Sequence, residues 1–93
     1  MHILMVEDDR HLGRNAARSL TRAGHAVDII PCGCRALEAP FAAAYDCILL
    51  DPAPPGLAGT ALLWAWRRCR LGVPVIIVTA RDVLHLCRAL GRC

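Results

Sequence analysis

Lysine is absent from this chain, in which all eleven basic residues are arginine. Aromatic residues are scarce as well, at 4% of the 93 residues, although hydrophobic residues make up 56%. No apolar run approaches the roughly 18 residues that a transmembrane helix requires, so we expect no membrane span. The length suits one small domain with a single core, in which arginine alone supplies fixed positive charge.

Two further absences concern targeting and disulfide bonds. The first residues do not match a signal peptide, because no basic segment precedes the apolar stretch and three acids follow it. The six cysteines include no Cys-x-x-Cys pair of the kind found in zinc sites, and the closest couple is Cys32 and Cys34. We therefore expect a cytoplasmic protein whose cysteines are reduced thiols.

Short apolar segments that each end in a polar residue are the main pattern of the sequence. The segments and the polar residues after them are Ile3–Val6 with Glu7, Asp8 and Asp9, Cys47–Leu50 with Asp51, and Val75–Val78 with Thr79. Each segment is typical of a buried strand in a parallel sheet. Because the carboxyl ends of parallel strands meet at one edge of a sheet, we expect these polar side chains to converge there.

Helical patterns alternate with the strands, which predicts an α/β fold with right-handed crossovers. The predicted strands are Ile3–Val6, Ala26–Ile30, Cys47–Leu50 and Val75–Thr79, and the predicted helices are one between the cap Asp9 and Gly24, then Cys34–Ala39, Thr60–Cys69 and Val83–Ala89. Pro40 should kink or stop the second helix, because proline lacks an amide hydrogen. Leu62, Leu63 and Trp66 suit the inward face of the third helix, whereas Trp64 should point to solvent.

Four motifs follow one another in a fixed order along nearly the whole chain. They are Ile3-Leu4-x-Val6-Glu7-Asp8-Asp9, Tyr45-Asp46-x-Ile48-Leu49-Leu50-Asp51, Pro55-Gly56-x-x-Gly59 and Val73-Pro74-Val75-Ile76-x-Val78-Thr79-Ala80-Arg81. With these motifs the chain resembles the receiver domain of bacterial two-component response regulators. The resemblance is closest to the class in which a winged-helix DNA-binding domain follows the receiver. It implies a flavodoxin-like parallel sheet of strand order 2-1-3-4-5.

The family's fifth strand carries a lysine and a switch aromatic, yet this sequence has no lysine and no aromatic residue after Trp66. We therefore predict that residues 1–93 form one receiver-like domain of order 2-1-3-4, lacking the fifth strand and helix and without an output domain. The open fourth strand would then favour self-association. We expect no direct binding of nucleic acid, because the net charge is only +3 and the chain has no room for a helix-turn-helix motif.

For the site, the resemblance implies phosphoryl transfer to a carboxylate. Asp51 would be the nucleophile that accepts the phosphoryl group of a histidine kinase. The implied ligands of Mg²⁺, a hard ion that prefers oxygen, are Glu7, Asp8, Asp51 and the backbone carbonyl of Ala53. Thr79 would hydrogen-bond the transferred group. Such a domain is at most a self-phosphorylating acceptor, and the missing lysine slows the transfer without abolishing it.

Other interpretations of the same residues stay open. Asp9 suits a helix cap better than a metal ligand. The chain as a whole is either a phosphoacceptor or a non-phosphorylatable module that docks on a kinase or another protein. A flavodoxin-like binder of small molecules is a further alternative, but no glycine-rich phosphate loop supports it.

Overall fold

A four-stranded parallel sheet forms the centre of the fold. The structure is a computed structural model, and it describes residues 1–51 and 59–78. The elements in chain order are β1 (His2–Val6), α1 (Arg10–Arg22), β2 (Ala26–Ile30), α2 (Gly33–Ala36), α3 (Ala39–Ala42), β3 (Cys47–Leu50), α4 (Gly59–Arg68) and β4 (Val75–Ile77). The strand order is β2-β1-β3-β4 with parallel neighbours throughout, which confirms the predicted class and order.

The central strands β1 and β3 are buried on both faces, and this explains their continuous apolar sequence, whereas the edge strands β2 and β4 are partly exposed. Successive side chains of a strand point to opposite faces, so Ile3 and Met5 contribute to one core and Leu4 and Val6 to the other. The core on the α1 side consists of Ile3, Met5, Ala16, Leu20, Cys47, Leu49 and Val78. The core on the α2 and α4 side consists of Leu4, Val6, Ala36, Ile48, Leu50, Leu62 and Trp66.

The first helix begins and ends at the residues that the sequence predicts. Asp9 is the N-cap of α1, and its Oδ1 accepts a 3.0 Å hydrogen bond from the backbone N–H of Leu12. Gly24 follows the helix with a φ of +96°, a left-handed conformation that glycine adopts without strain. The cap fixes where α1 starts, and this start lies directly beside the end of β1.

The prediction for the second helix is wrong in its boundaries. Instead of one helix over Cys34–Ala39 that Pro40 kinks or stops, the chain forms two short helices, α2 and α3, separated by two residues. Pro40 lies in the first turn of α3, where the backbone N–H of a helix has no acceptor within the helix. Proline therefore begins a helical turn here and does not end one.

Helix α4 packs on the sheet through Leu62 and Trp66, which are fully buried, whereas Leu63 is only half-buried and Trp64 is exposed. The indole Nε1 of Trp66 donates a 3.1 Å hydrogen bond to the carbonyl oxygen of Leu37. This bond satisfies the polar atom of a buried ring and connects α4 to the turn between α2 and α3. The predicted inward and outward positions are confirmed for both tryptophans.

Several predictions fall outside the described residues: the loop at Pro52–Gly56, the carbonyl of Ala53, the side chain of Thr79 and the helix Val83–Ala89. Strand β4 itself covers Val75–Ile77. The predicted lack of a fifth strand and helix, and self-association through the β4 edge, therefore stay predictions. Among the described helices, none combines the length and the apolar character needed to cross a bilayer.

Candidate functional site

The candidate site lies where β1 and β3 end side by side. Val6 is opposite Leu50 in the parallel register, so the next residues, Glu7 and Asp51, leave the sheet at the same edge. The backbone N–H of Asp51 donates a 3.0 Å hydrogen bond to the carbonyl oxygen of Val6, which extends the pairing by one residue. The backbone N–H of Glu7 likewise donates a 3.1 Å hydrogen bond to the carbonyl oxygen of Ile30 at the end of β2.

Three carboxylates meet at this edge. One carboxylate oxygen from each of Glu7, Asp8 and Asp51 lies within 4.8 Å of the others. Glu7 is buried, with 6% of its surface exposed, Asp51 is half-buried and Asp8 is exposed. The structure thus brings together the three side chains that the sequence predicts to converge, although Asp51 is more than forty residues from the other two.

The electrostatics of the site favour a bound cation. Burial raises the pKa of Glu7, and the negative charges of Asp51 and Asp8 raise it further. A 3.1 Å hydrogen bond from the backbone N–H of Asp9 to Oε1 of Glu7 acts in the opposite direction. The net effect is a raised pKa, so the buried carboxyl of Glu7 is difficult to ionise beside the carboxylates of Asp8 and Asp51. A positive ion between the three groups would relieve both the repulsion and the cost of burying the charge.

The ligand atoms on offer fit a hard divalent cation. All three groups present carboxylate oxygen, and among the described residues the cluster includes neither sulfur nor imidazole. Oxygen ligands of this kind suit Mg²⁺, which keeps part of its water shell and takes one or two protein carboxylates. Asp9 is engaged as the cap of α1 and is not a member of the cluster, as the sequence predicts.

Beside the cluster is a groove that the sequence analysis missed. Its volume is about 180 Å³, and its lining consists of Glu7, Asp9, Arg10, Gly13, Arg14, Ile29 and Pro31. The arginines come from α1, whereas Ile29 and Pro31 come from the end of β2 and the residue after it. The sequence contained one signal for this surface, which is the spacing of four residues between Arg10 and Arg14 on a predicted helix.

A second polar cluster, also missed, lies toward the amino ends of the strands. The hydroxyl of Tyr45 donates a 2.7 Å hydrogen bond to Oδ2 of Asp28, and Nε2 of His2 lies 2.8 Å from the same oxygen. The Tyr45 bond and the His2 contact lower the pKa of Asp28. Burial and the Asp28 carboxylate raise the pKa of Tyr45 to about 12. This cluster connects β1, β2 and the segment before β3, and has no part in the carboxylate site.

Comparison with known proteins places these features in a family. Residues 3–90 match the response regulator receiver domain. The transcriptional regulatory protein QseB of Haemophilus influenzae is 42% identical over 84 residues, which cover 90% of this chain and 38% of that protein. The chain thus spans well under half the length of this relative.

Solved structures agree. The response regulator TrrA of Thermotoga maritima, in complex with Mg²⁺-BeF, is similar with a TM-score of 0.78 and 25% identity, covering 96% of this chain and 79% of that one. The complex of the histidine kinase ThkA with TrrA is similar with a TM-score of 0.77 and 28% identity, covering 85% of this chain and 68% of that one. The fold, the convergent carboxylates and the match over residues 3–90 agree, and the chain belongs to the receiver domains of two-component response regulators.

Proposed function

We propose that this receiver domain accepts a phosphoryl group on Asp51 with the help of Mg²⁺. The observation that carries the proposal is the cluster of Glu7, Asp8 and Asp51, with one oxygen of each within 4.8 Å of the others. Crowded carboxylates are costly without a cation, and a site that holds one beside a half-buried aspartate suits phosphoryl transfer. TrrA, a relative by fold and sequence, is known with Mg²⁺-BeF, and this supports the same ligand class here.

In the proposed reaction, a carboxylate oxygen of Asp51 attacks the phosphorus atom of the donor. The new bond is the P–O bond of an acyl phosphate, and the bond from phosphorus to the donor atom breaks, with its electron pair leaving on the donor. Glu7 and Asp8 would hold the cation together with Asp51, and the cation would supply positive charge next to the phosphoryl oxygens. Asp51 is half-buried, so part of its surface is in contact with solvent.

We assign the donor to a histidine kinase, because TrrA, which this chain resembles, forms a complex with the histidine kinase ThkA. By resemblance, the carbonyl of Ala53 completes the cation ligands and Thr79 binds the transferred group. The chain has no lysine to supply the positive charge that the family places at the phosphoryl group. Removal of one such electrostatic contact typically slows transfer by about 10²–10³-fold, so we expect slow phosphorylation.

Intact mass spectrometry tests the proposal. The chain is incubated with a small acyl phosphate, with and without Mg²⁺, and the gain of one phosphoryl group is followed over time. We expect one Mg²⁺-dependent addition that Asp51→Asn abolishes. Asp9→Asn is the matched control, because asparagine caps a helix as well as aspartate and Asp9 lies outside the cluster. If no addition occurs under any condition, the alternative is favoured, a non-phosphorylatable module that docks on a partner protein.

A further inference from the structure

Two cysteines lie side by side at the start of α2. Cys32 is the residue before the helix and Cys34 is the second residue of the helix, with Gly33 between them. Both thiols are free; Cys34 is exposed and Cys32 is partly exposed. This cysteine pair belongs neither to the carboxylate cluster nor to the lining of the groove beside it. Its chemistry is therefore separate from the chemistry proposed for Asp51.

The backbone holds the cysteine pair at a distance that a disulfide bond can span. Gly33 is helical, and the residues on either side of one helical residue have Cα atoms about 5.4 Å apart. Disulfide-bonded cysteines usually have Cα atoms about 4.4–6.8 Å apart. Cys32 itself is extended, with a φ of −124° and a ψ of 133°, the N-cap conformation in which a side chain can turn back over the first turn of its helix. The thiol of Cys34 is near enough to interact with the thiol of Cys32.

The surroundings of Cys32 favour its thiolate. The backbone N–H groups of Arg35 and Cys34 lower the pKa of the Cys32 thiol, burial opposes them, and the Cys34 thiol and the Arg35 charge lower it further. Cys47 differs, because burial raises the pKa of its thiol. The thiolate is the form that reacts with oxidants. Cys32 thus combines a favoured thiolate with access to solvent and a neighbouring thiol, three features of cysteines that respond to oxidants.

We propose that the cysteine pair is a site of reversible oxidation by peroxides, with Cys32 as the reactive thiol and Cys34 as the resolving thiol. The Cys32 thiolate attacks one oxygen of hydrogen peroxide, the O–O bond breaks, and hydroxide leaves, so that Cys32 becomes a sulfenic acid. The Cys34 thiolate then attacks the Cys32 sulfur, the S–O bond breaks, a second hydroxide leaves, and the S–S bond forms. The two protons of the thiols convert the hydroxides into water. The pair thus gives two electrons to one peroxide.

Oxidation should loosen the start of α2. Residues two apart in a helix point to different sides of its axis, so a bond between Cys32 and Cys34 requires the backbone at Gly33 to move. The same turn leads to Leu37, whose carbonyl oxygen accepts the hydrogen bond of the buried Trp66 indole. We therefore expect the oxidised chain to melt at a lower temperature than the reduced chain. Strain in such a small ring also makes the disulfide easy to reduce, so a dithiol reductant should restore both thiols.

Peptide mapping after oxidation tests the proposal. In the test variant, Cys69, Cys87 and Cys93 are replaced by serine, which leaves the cysteine pair and the buried Cys47. The variant is treated with hydrogen peroxide, alkylated with iodoacetamide and digested with trypsin, which leaves the pair in one peptide, residues 23–35. We expect this peptide to lose two hydrogen atoms and to escape alkylation, and dithiothreitol to reverse both changes. The unmodified chain gives the same peptide, so the mapping does not depend on the folding of the variant.

Two single variants in the same background separate the roles of the thiols. Cys34→Ser removes the resolving thiol, so the sulfenic acid at Cys32 should persist and be captured by dimedone. Cys32→Ser leaves Cys34 alone, and its capture should be at least about threefold weaker, because its surroundings do not favour the thiolate to the same degree. The double serine variant is the control for other effects of peroxide. Its melting temperature should be equal with and without the oxidant, whereas that of the chain with the pair should fall.

Four outcomes would overturn the proposal. Full alkylation of both thiols after peroxide treatment would show that the pair is not oxidised, and a disulfide between two chains would show that it does not close on itself. Equal capture by dimedone at residues 32 and 34 would contradict the assigned roles. Disulfide formation that is equally fast in concentrated urea would show that the fold contributes nothing. The assay contains no phosphodonor, so its failure leaves the proposal for Asp51 untouched, and the reverse also holds.

Discussion

Glu7 and Asp51 directly follow adjacent parallel strands, and one carboxylate oxygen of each lies within 4.8 Å of the other at the edge of the sheet. The pair consists of one buried and one half-buried acid, with Asp8 as a third negative group. Without a bound cation, the repulsion between these carboxylates lowers the free energy of unfolding. Functional sites commonly hold charged groups in such unfavourable positions.

Glu7→Gln should raise the melting temperature of the chain at neutral pH without added metal. The raised pKa of Glu7 means that the folded state favours its protonated form. The stabilising contribution of this group is therefore present below its ordinary pKa of 4.5 and is lost as pH rises through the folded value. Glutamine stays neutral and keeps an oxygen for the N–H of Asp9, so the gain should shrink on acidification. Thermal denaturation followed by circular dichroism measures this gain in melting temperature. An unchanged or lower melting temperature of Glu7→Gln at neutral pH would contradict the account.

Mg²⁺ should stabilise the unmodified chain. A ligand that binds only the folded state, at about ten times its dissociation constant, adds about 1.4 kcal/mol to the free energy of unfolding. For a domain of this size, that is a rise of several degrees in melting temperature. Trp64 and Trp66 are on α4 and outside the cluster, so their fluorescence should change little on binding. Asp8→Ala should remove the effect and Asp9→Asn should retain it. Equal melting temperatures with and without millimolar Mg²⁺ would exclude the metal site.

The two tryptophans should differ sharply in their contribution to stability. Trp66 is fully buried and hydrogen-bonded to Leu37, so Trp66→Ala should lower the free energy of unfolding by about 3–5 kcal/mol. Trp64 is 63% exposed, and the guanidinium carbon of Arg68 lies 4.6 Å from its ring centroid. Trp64→Ala should cost about 1 kcal/mol or less. Urea denaturation followed by circular dichroism measures the free energy of unfolding of both variants. Similar losses in the two variants would contradict the orientation of α4, in which Trp66 is buried and Trp64 is exposed.

Tyr45 should ionise only in strong alkali. Its pKa of about 12 results first from burial and then from the hydrogen bond and charge of Asp28. Because Tyr45 is the sole tyrosine of the chain, ultraviolet absorbance reports its ionisation directly. Asp28→Asn should lower the pKa part of the way toward 10, since burial remains. The neutral phenol stabilises the fold at lower pH, and this contribution is lost as pH rises through 12. An ordinary pKa of 10 in the folded chain would rule out the Tyr45–Asp28 bond.

Local patterns were sufficient to predict most of the fold. The apolar segment Cys47–Leu50 is strand β3 with the predicted boundaries, because a strand buried on both faces has a sequence that few other structures accept. The cap at Asp9 and the turn at Gly24 are equally local. The prediction for Pro40 was wrong because proline is compatible with the first turn of a helix and incompatible with a helix interior. Only tertiary packing decides which of the two positions it takes.

The candidate site was predictable only in part. The convergence of Glu7, Asp8 and Asp51 follows from the strand order alone. The bonds of Asp28 to His2 and Tyr45 depend on the register between strands and on a loop conformation, which no local pattern encodes. The burial of Glu7 likewise depends on how α1 and β2 enclose the end of β1. Its raised pKa was therefore not predictable from the sequence.

The position of the phosphoryl group tests the central claim most directly. After incubation with a small acyl phosphate and Mg²⁺, reduction with borohydride converts an aspartyl phosphate into homoserine, and peptide mapping then locates the modified residue. If Asp51, the residue after β3, is the acceptor, homoserine should be found at residue 51 alone, and no homoserine should form when Mg²⁺ is omitted. Homoserine at Asp8 or Asp9 with Asp51 intact, or a phosphoryl group that resists reduction, would contradict the assignment of Asp51 as the acceptor.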